Sequence, residues 1–247
     1  MSGHSKWSTI KRKKGAADAK RGKIFTKIIK EIVIAAKEGG GDSDTNARLR
    51  LAIQNAKGAN MPKDNIERAI KKATGSEAEN YIETSFEGYG PSGIAVYADC
   101  LTDNNNRTVA AIRSAFNKYG GNLGTKGSLS FLFNTKGIFT FKNEDLNLEE
   151  LELGMIDAGA EDFEIDGDMI TVICAKEDFG NVTRKLGELG IEPDESGLKR
   201  IPNDTKKLDI ESAKKVLRFI EVLEDDDDIQ NVYHNLEMTD ELAAALE

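Results

Sequence analysis

The chain is poor in the residues that most enzyme chemistry needs: its 247 residues hold two histidines, two cysteines, one tryptophan and four prolines. With only His4 and His234, one in a basic segment and one near an acidic end, a nucleophile, a histidine base and an orienting group cannot be assembled in the usual way. No CxxC, HExxH or EF-hand spacing occurs, so neither a metal nor a cofactor is expected. Two cysteines exclude a disulfide framework. Cys100 and Cys174 both sit in apolar, strand-like runs, where buried free thiols are expected. No run of about eighteen apolar residues exists, which excludes a membrane-spanning helix. The N-terminal segment lacks the apolar stretch of a secretory signal, and a cytoplasmic location is the expectation.

What the chain does have is charge, divided by position. Residues 1–75 hold 18 Lys and Arg against 7 Asp and Glu, whereas residues 76–247 hold 16 against 36. The overall charge of −9 therefore conceals a strongly basic end on an acidic body. A concentrated basic segment is an electrostatic footprint for a polyanion, and nucleic acid is the first partner to consider, ahead of an acidic membrane or an acidic protein. The densest part runs over residues 6–23, with Lys6, Lys11, Arg12, Lys13, Lys14, Lys20, Arg21 and Lys23 against the single acid Asp18.

The basic third reads as helical. From Gly22 the pairs Ile24/Phe25, Ile28/Ile29, Ile32/Val33 and Ala35/Ala36 recur every three to four residues, giving one amphipathic helix that stops at Gly39, Gly40 and Gly41. Asp44 or Thr45 is the expected cap of a second helix with Leu49, Ala52, Ile53 and Ala56 inward and Arg48, Arg50 and Lys57 largely outside. Pro62 starts a third, whose stripe of Ile66, Ala69, Ile70 and Ala73 ends at Gly75. Three such helices form a small bundle.

After residue 80 the period changes to alternation. Strands are expected at 81–87, 94–101 and 128–133, with a helix at 106–119 between the last two. This ββαβ set lacks a closing element. A self-contained series follows: strand 137–142, helix 148–157, strands 162–165 and 169–175, helix 178–189 and strand 197–201. That order, βαββαβ, is the split arrangement of ferredoxin-like domains. A helix at 210–223 and a strand-like run at 230–236 then return to complete the interrupted set. The expected fold class is thus α+β in three domains: a basic helical N-terminal domain over 1–79 with a flexible arm at 1–20, an α+β middle domain over 80–133 and 204–247, and a ferredoxin-like domain over 134–203 inserted in it.

Smaller features read as structural. Gly88, Gly90 and Gly93 in EGYGPSG satisfy G-x-G-x-x-G, yet they lie between two strands with Pro91 inside, so a hairpin loop is expected and not a dinucleotide site. GGNLGTKGS, with Gly121, Gly124 and Gly127, lacks the ending of a phosphate-binding P-loop; it reads as a helix-to-strand turn, with a backbone approach to phosphate as the alternative. The acidic run Asp225 to Asp228 falls at a helix C-terminus, where anions oppose the macrodipole, and is expected to be a frayed, solvated end. Trp7, in the polar segment GHSKWSTIKRKK, is either a staple onto the bundle or a stacking platform for a base. Arg107 and Arg113 either pair with phosphate or serve their own domain.

The segments GHSKWSTIKRKKGAADAKRGKIFTKIIKEI, AAKEGGGDSDTNARLRLAI and NMPKDNIERAIKK resemble the YebC-like (YebC/PmpR) family, which includes the mitochondrial translational activator of cytochrome c oxidase subunit I. The likeness continues through FEGYGPSGIAV, LTDNNNRTVAAIRSAF, GGNLGTKGSLSFLF and IPND, and so covers nearly the whole chain. It implies a three-domain α+β architecture with one domain inserted in another, and no enzymatic activity. It also implies a role in gene expression, either as a DNA-binding transcriptional regulator or as a ribosome-associated translation factor that relieves stalled peptide synthesis.

No helix shows a helix-turn-helix pattern with a polar reading face, and the basic residues extend into a tail that suits a crowded RNA surface. The first expectation is accordingly a non-enzymatic factor bound to ribosomal RNA, with DNA-binding regulation as the alternative and neither a membrane nor a small-molecule substrate as a partner. The candidate nucleic-acid contacts are His4, Lys6, Trp7, Lys11, Arg12, Lys13, Lys14, Lys20, Arg21, Lys23, Arg48, Arg50, Lys57, Arg107 and Arg113.

Overall fold

The structure is a computed structural model that describes residues 18–75, 80–143 and 146–246. It opens with three helices, α1 (Asp18–Gly39), α2 (Ala47–Gly58) and α3 (Lys63–Thr74). Residues 18–20, assigned to the arm on sequence, are helical; the remainder of the arm lies outside the described residues. After α1 the chain turns at Gly40, whose φ of 86° is left-handed and open to glycine at little cost. The cap of α2 is Asn46, not Asp44 or Thr45. Its side-chain oxygen accepts from the Leu49 N–H, while its amide donates to the carbonyls of Ala35 and Gly40. Asn46 is buried, and only an amide offers both an acceptor and two donors to satisfy that environment.

The elements that follow are β1 (Ile82–Tyr89), β2 (Ala95–Thr102), α4 (Asn105–Lys118), β3 (Asn122–Leu123), β4 (Phe133–Lys142), α5 (Leu148–Asp157), β5 (Ala160–Asp166), β6 (Met169–Ala175), α6 (Phe179–Glu188), β7 (Glu195–Pro202), α7 (Ile210–Glu224), β8 (Ile229–His234) and α8 (Asp240–Ala244). They make two four-stranded sheets, ordered β3-β1-β2-β8 and β5-β6-β4-β7. In the first sheet every pairing is antiparallel, and β8 returns to lie beside β2 with His234 opposite Val96. The second has the strand order of a ferredoxin-like domain, with both helices between its strands. The fold is α+β.

The expected strand at 128–133 is corrected. A two-residue strand, β3, pairs with β1 instead, and residues 130–132 form a single 3₁₀ turn ahead of β4. The reason lies on a neighbouring strand: the Glu87 carboxylate accepts the N–H groups of Gly127 and Leu129, each at 2.7 Å, which removes donors that a ladder at this point needs.

By its internal contacts the chain divides into two compact units. One combines residues up to Ile34 with 80–134 and 201–246; the other combines 35–75 with Thr135–Arg200. In the first unit β2 is buried on both faces. Val96, Ala98 and Cys100 pack with Ile112, Phe116, Val216, Phe219 and Ile220, while Ala95 and Tyr97 pack with Leu129, Phe133 and Tyr233. The alternation required of a strand is thus used twice, and each large side chain removed from water contributes about 1.5–3 kcal/mol. In the second unit Phe139, Phe141, Val172 and Cys174 of the sheet close against Leu151, Met155, Val182 and Leu186 of α5 and α6. Its edge strand β7 meets the end of α2: the Asn55 side chain donates to the Ser196 carbonyl at 2.8 Å and accepts the Ser196 N–H at 2.9 Å. One amide thereby does for an open sheet edge what a neighbouring strand does elsewhere.

Both cysteines are buried and free. Burial raises the Cys100 thiol above its ordinary value, and Cys174 is pushed up to about 11, mainly by burial and then by Asp178. Neither is a nucleophile at neutral pH.

Candidate nucleic-acid interface

The lysines of α1 do not form one uniform cationic face. Lys23, Lys27 and Lys30 recur at spacings of four and three residues, which places them on one side of the helix, and all three reach the end of α7. Lys23 pairs with Asp225 at 2.9 Å, Lys27 donates to the Glu224 carbonyl at 2.7 Å, and Lys30 donates to the Asp227 carbonyl and to Asp228 Oδ1, each at 2.8 Å. A third acceptor for Lys30, the Leu101 carbonyl at 3.3 Å, completes the set for its three donors. Lys30 is itself buried.

This overturns the reading of Asp225 to Asp228 as a frayed, solvated end. Asp225 is exposed, but Asp228 is 4% exposed, and its Oδ2 accepts from Arg107 at 2.6 Å, from Thr108 at 2.9 Å and from Thr102 at 3.2 Å. The C-terminal end of α7 is met by cations from outside the helix. Lysines from a helix about two hundred positions earlier neutralise both the carboxylates and the unpaired carbonyls. Burial by itself raises the Asp228 carboxyl; hydrogen bonds from Lys30, Arg107 and Thr108 outweigh it and hold the group at about 2, below the usual 3.8. Arg107 is raised above its ordinary value by the hydrogen bonds it donates to Asp228 and then to Asp103.

Of the candidate contacts named from sequence, His4, Lys6, Trp7, Lys11, Arg12, Lys13 and Lys14 lie outside the described residues. Lys20 falls in the first turn of α1, and Arg21 beside it is exposed. Lys23 and Arg107 face carboxylates, as above. Arg48 pairs with Glu38 at 2.8 Å, and Arg50 donates to the carbonyls of Ser43 and Asp44, closing the turn before its own helix. Lys57 is exposed on α2. Arg113 is exposed on α4, where it lines a shallow depression with Ala110, Ser114, Asn117 and Lys118.

A second group, Glu87, Tyr89 and Phe131 on the two glycine-rich loops, was not singled out on sequence. The two glycine-rich loops, treated there as separate turns, lie against each other. A Cβ at Gly88 meets the Asn122 carbonyl oxygen at 2.4 Å, one at Gly121 meets the Tyr89 carbonyl oxygen at 2.6 Å, and one at Gly124 meets Ser128 Oγ at 2.7 Å. Close backbone approach requires glycine at Gly88 and Gly121, while at Gly124 the obstacle is a side chain of the same loop. Glu87, 2% exposed, fixes the second loop through Gly127 and Leu129, and the Gly124 N–H donates to the Glu87 carbonyl at 2.7 Å. Further along, Asn203 donates its side-chain amide to the Phe131 carbonyl and its N–H to the Leu132 carbonyl, each at 2.8 Å. On this fixed backbone Tyr89 is 46% and Phe131 69% exposed, and Lys126 is exposed between them in sequence. Glycine spacing was the available signal; the mutual approach of the loops exists only in the fold.

Among the described residues no helix is long and apolar enough to cross a membrane, and no three His, Cys, Asp or Glu side chains are placed to hold a metal ion. Residues 5–76 match the TACO1/YebC protein N-terminal domain, and residues 81–236 match the TACO1/YebC second and third domain. The chain belongs to the TACO1/YebC family. Full-length relatives agree. A probable transcriptional regulatory protein of Syntrophotalea carbinolica is 50% identical over 247 residues, covering 100% of this chain and 99% of the relative. Another, of Hathewaya histolytica, is 53% identical over 239 residues, covering 96% and 97%. A crystal structure of a conserved hypothetical protein from Aquifex aeolicus shares the fold, with a TM-score of 0.82 and 40% identity over 90% of this chain and 93% of that one. For this TACO1/YebC protein the α+β architecture thus rests on sequence and structure alike.

Proposed function

We propose that this TACO1/YebC protein is a non-enzymatic, nucleic-acid-binding regulator of gene expression acting in the cytoplasm. The observation that carries the reading is the charge division: 18 cations against 7 acids in residues 1–75 of a chain whose remainder is acidic. The names of its relatives, probable transcriptional regulatory proteins, support DNA as the target and transcription as the process. A second reading, a translation factor bound to ribosomal RNA, is favoured by one specific observation. The exposed aromatic side chains beside the paired glycine loops suit unstacked bases, which single-stranded RNA offers and a duplex groove does not.

Affinity measured against salt tests the proposal. A protein that neutralises about five phosphates loses log affinity against log salt with a slope near −4 to −5 on duplex DNA. Replacing Lys11, Arg12, Lys13 and Lys14 together by Gln flattens the slope and weakens binding to all sequences alike, because phosphate contacts position without specifying. Promoter-length DNA and purified ribosomal subunits, titrated at the same salt, separate the two targets. Binding to neither rejects the proposal.

A further inference from the structure

We propose that the paired glycine loops are a second nucleic-acid site, distinct from the basic N-terminal segment, that takes single-stranded RNA with a base stacked on Phe131 and a phosphate against Lys126. The inference rests on the nucleic-acid reading above and holds for either target process.

Three observations carry it. The first is that a large apolar ring is held in water by a backbone that is not free to withdraw it. Leu129 and Phe133, on either side, are buried in one cluster with Tyr97 and Tyr233, while Glu87 grips the Leu129 N–H and Asn203 grips the Phe131 and Leu132 carbonyls. Phe131 remains 69% exposed at the apex. A backbone already fixed in place adds little ordering cost when a base stacks on the ring it presents, which favours an aromatic binding platform. The second is charge. Residues 76–247 contain 36 acids, yet residues 104–134 contain none, and they carry Arg107, Arg113, Lys118 and Lys126. Arg107 is engaged by Asp103 and Asp228, whereas Lys126 stands exposed on the loop itself. The first loop and the strand after it, residues 88–98, are also free of acids. The third is backbone access. Gly120 and Gly127, with φ of 75° and 88°, have nothing within 4 Å of a Cβ position, so their outer faces are open where a phosphate or ribose can approach closely.

Stacking needs an unpaired base, and RNA presents unpaired bases in loops and ends, whereas the bases of duplex DNA are closed within the stack. That favours single-stranded RNA. Tyr89, 46% exposed at the end of β1, is placed in the same loop pair by the pairing of Tyr89 with Asn122 and offers a second ring.

The test uses the full chain and a fluorescein-labelled oligouridylate of about 12 nucleotides, a deoxy oligomer of the same sequence and a duplex of the same length, titrated by anisotropy over a range of salt. Phe131→Ala is expected to weaken oligouridylate binding at least about fivefold at every salt, with a parallel salt line, while Phe131→Trp restores it. Lys126→Gln is expected to reduce the slope by about 0.7, the value for one phosphate on a single strand. Because Phe131 lies on the surface, its variants should melt with the wild type, and a melting curve for each confirms that the loop is intact. Wild-type binding that Phe131→Ala and Lys126→Gln both leave unchanged, while the Lys11/Arg12/Lys13/Lys14 variant abolishes it, overturns this site and leaves the functional reading standing. Equal affinity for the deoxy oligomer overturns the assignment to RNA. Failure of the wild type to bind any of the three probes overturns the functional reading itself.

Discussion

Lys30 and Asp228 are 198 positions apart in the chain and 2.8 Å apart in the fold, with side chains 9% and 5% exposed. The pair fastens the basic helix α1 to the far end of α7, and every donor and acceptor around it is met by Arg107, Thr102, Thr108 or a backbone carbonyl. Two charges removed from water are stable only in such company; leaving either one alone is the expensive state.

Lys30→Met is therefore expected to lower stability by roughly 3 kcal/mol, since it leaves Asp228 buried with fewer donors. Combining it with Asp228→Asn should be markedly less damaging than the sum of the single changes, with a coupling of at least about 1 kcal/mol in urea unfolding. Additivity within about 0.5 kcal/mol contradicts the pairing.

Acid should act through the same carboxylate. The folded Asp228 group titrates at about 2, below the ordinary 3.8, so the native state binds its proton less readily than the unfolded chain does. Its contribution is complete above about pH 4 and is lost as pH falls toward 2, amounting to about 2 kcal/mol at neutral pH. Melting temperatures from pH 5 to pH 2 should fall more steeply for the wild type than for Asp228→Asn. Parallel curves contradict the assignment.

Glu87→Gln replaces one of two acceptor oxygens by a donor that faces a backbone N–H. Amide exchange at Gly127 and Leu129 should accelerate, with a stability loss of about 1–3 kcal/mol. Unchanged protection of both amides shows that the loop is held by something else.

Gly58→Ala sets helix propensity against sterics. Alanine in a helix is worth up to about 1 kcal/mol over glycine, but a Cβ here lies 1.8 Å from the Asp194 carbonyl oxygen, a backbone atom. Sterics should win by about 1–3 kcal/mol. Asn55→Ala, which opens the Ser196 edge contact, should cost about 1 kcal/mol. An alanine variant at 58 as stable as the wild type contradicts the close approach.

We further propose three domains, at 1–79, at 80–133 with 204–247, and at 134–203. Removing residues 135–200, with a short glycine linker from Asn134 to Ile201, is expected to leave the middle domain cooperatively folded. Leu132 and Asn203 are already hydrogen-bonded at 2.8 Å, and the cores around β2 use no residue of the excised stretch. Truncation after residue 205 removes Val216, Phe219, Ile220, Val232 and Tyr233 from those cores and should abolish folding. The opposite ranking in thermal melts overturns the boundaries.

Much of the architecture was legible without coordinates, because it rests on local periodicity. The apolar pairs from Ile24 to Ala36 specify one helix, and the glycines after it specify where it ends. The βαββαβ order specifies a ferredoxin-like sheet, since few other packings bury those faces. The charge division and the family motifs likewise needed only the string of residues. What the sequence could not decide is where buried polar groups find partners, because those partners lie on other elements. Asn46 displaced Asp44 and Thr45 as a cap because the carbonyls of Ala35 and Gly40 stood within reach. Asp228 became an interior anion because Lys30 and Arg107 converged on it. The two glycine loops became one platform only when β3 paired with β1, because hydrogen bonding and electrostatic attraction fall off over a few ångströms, and such distances between residues far apart in the chain are set by the fold alone.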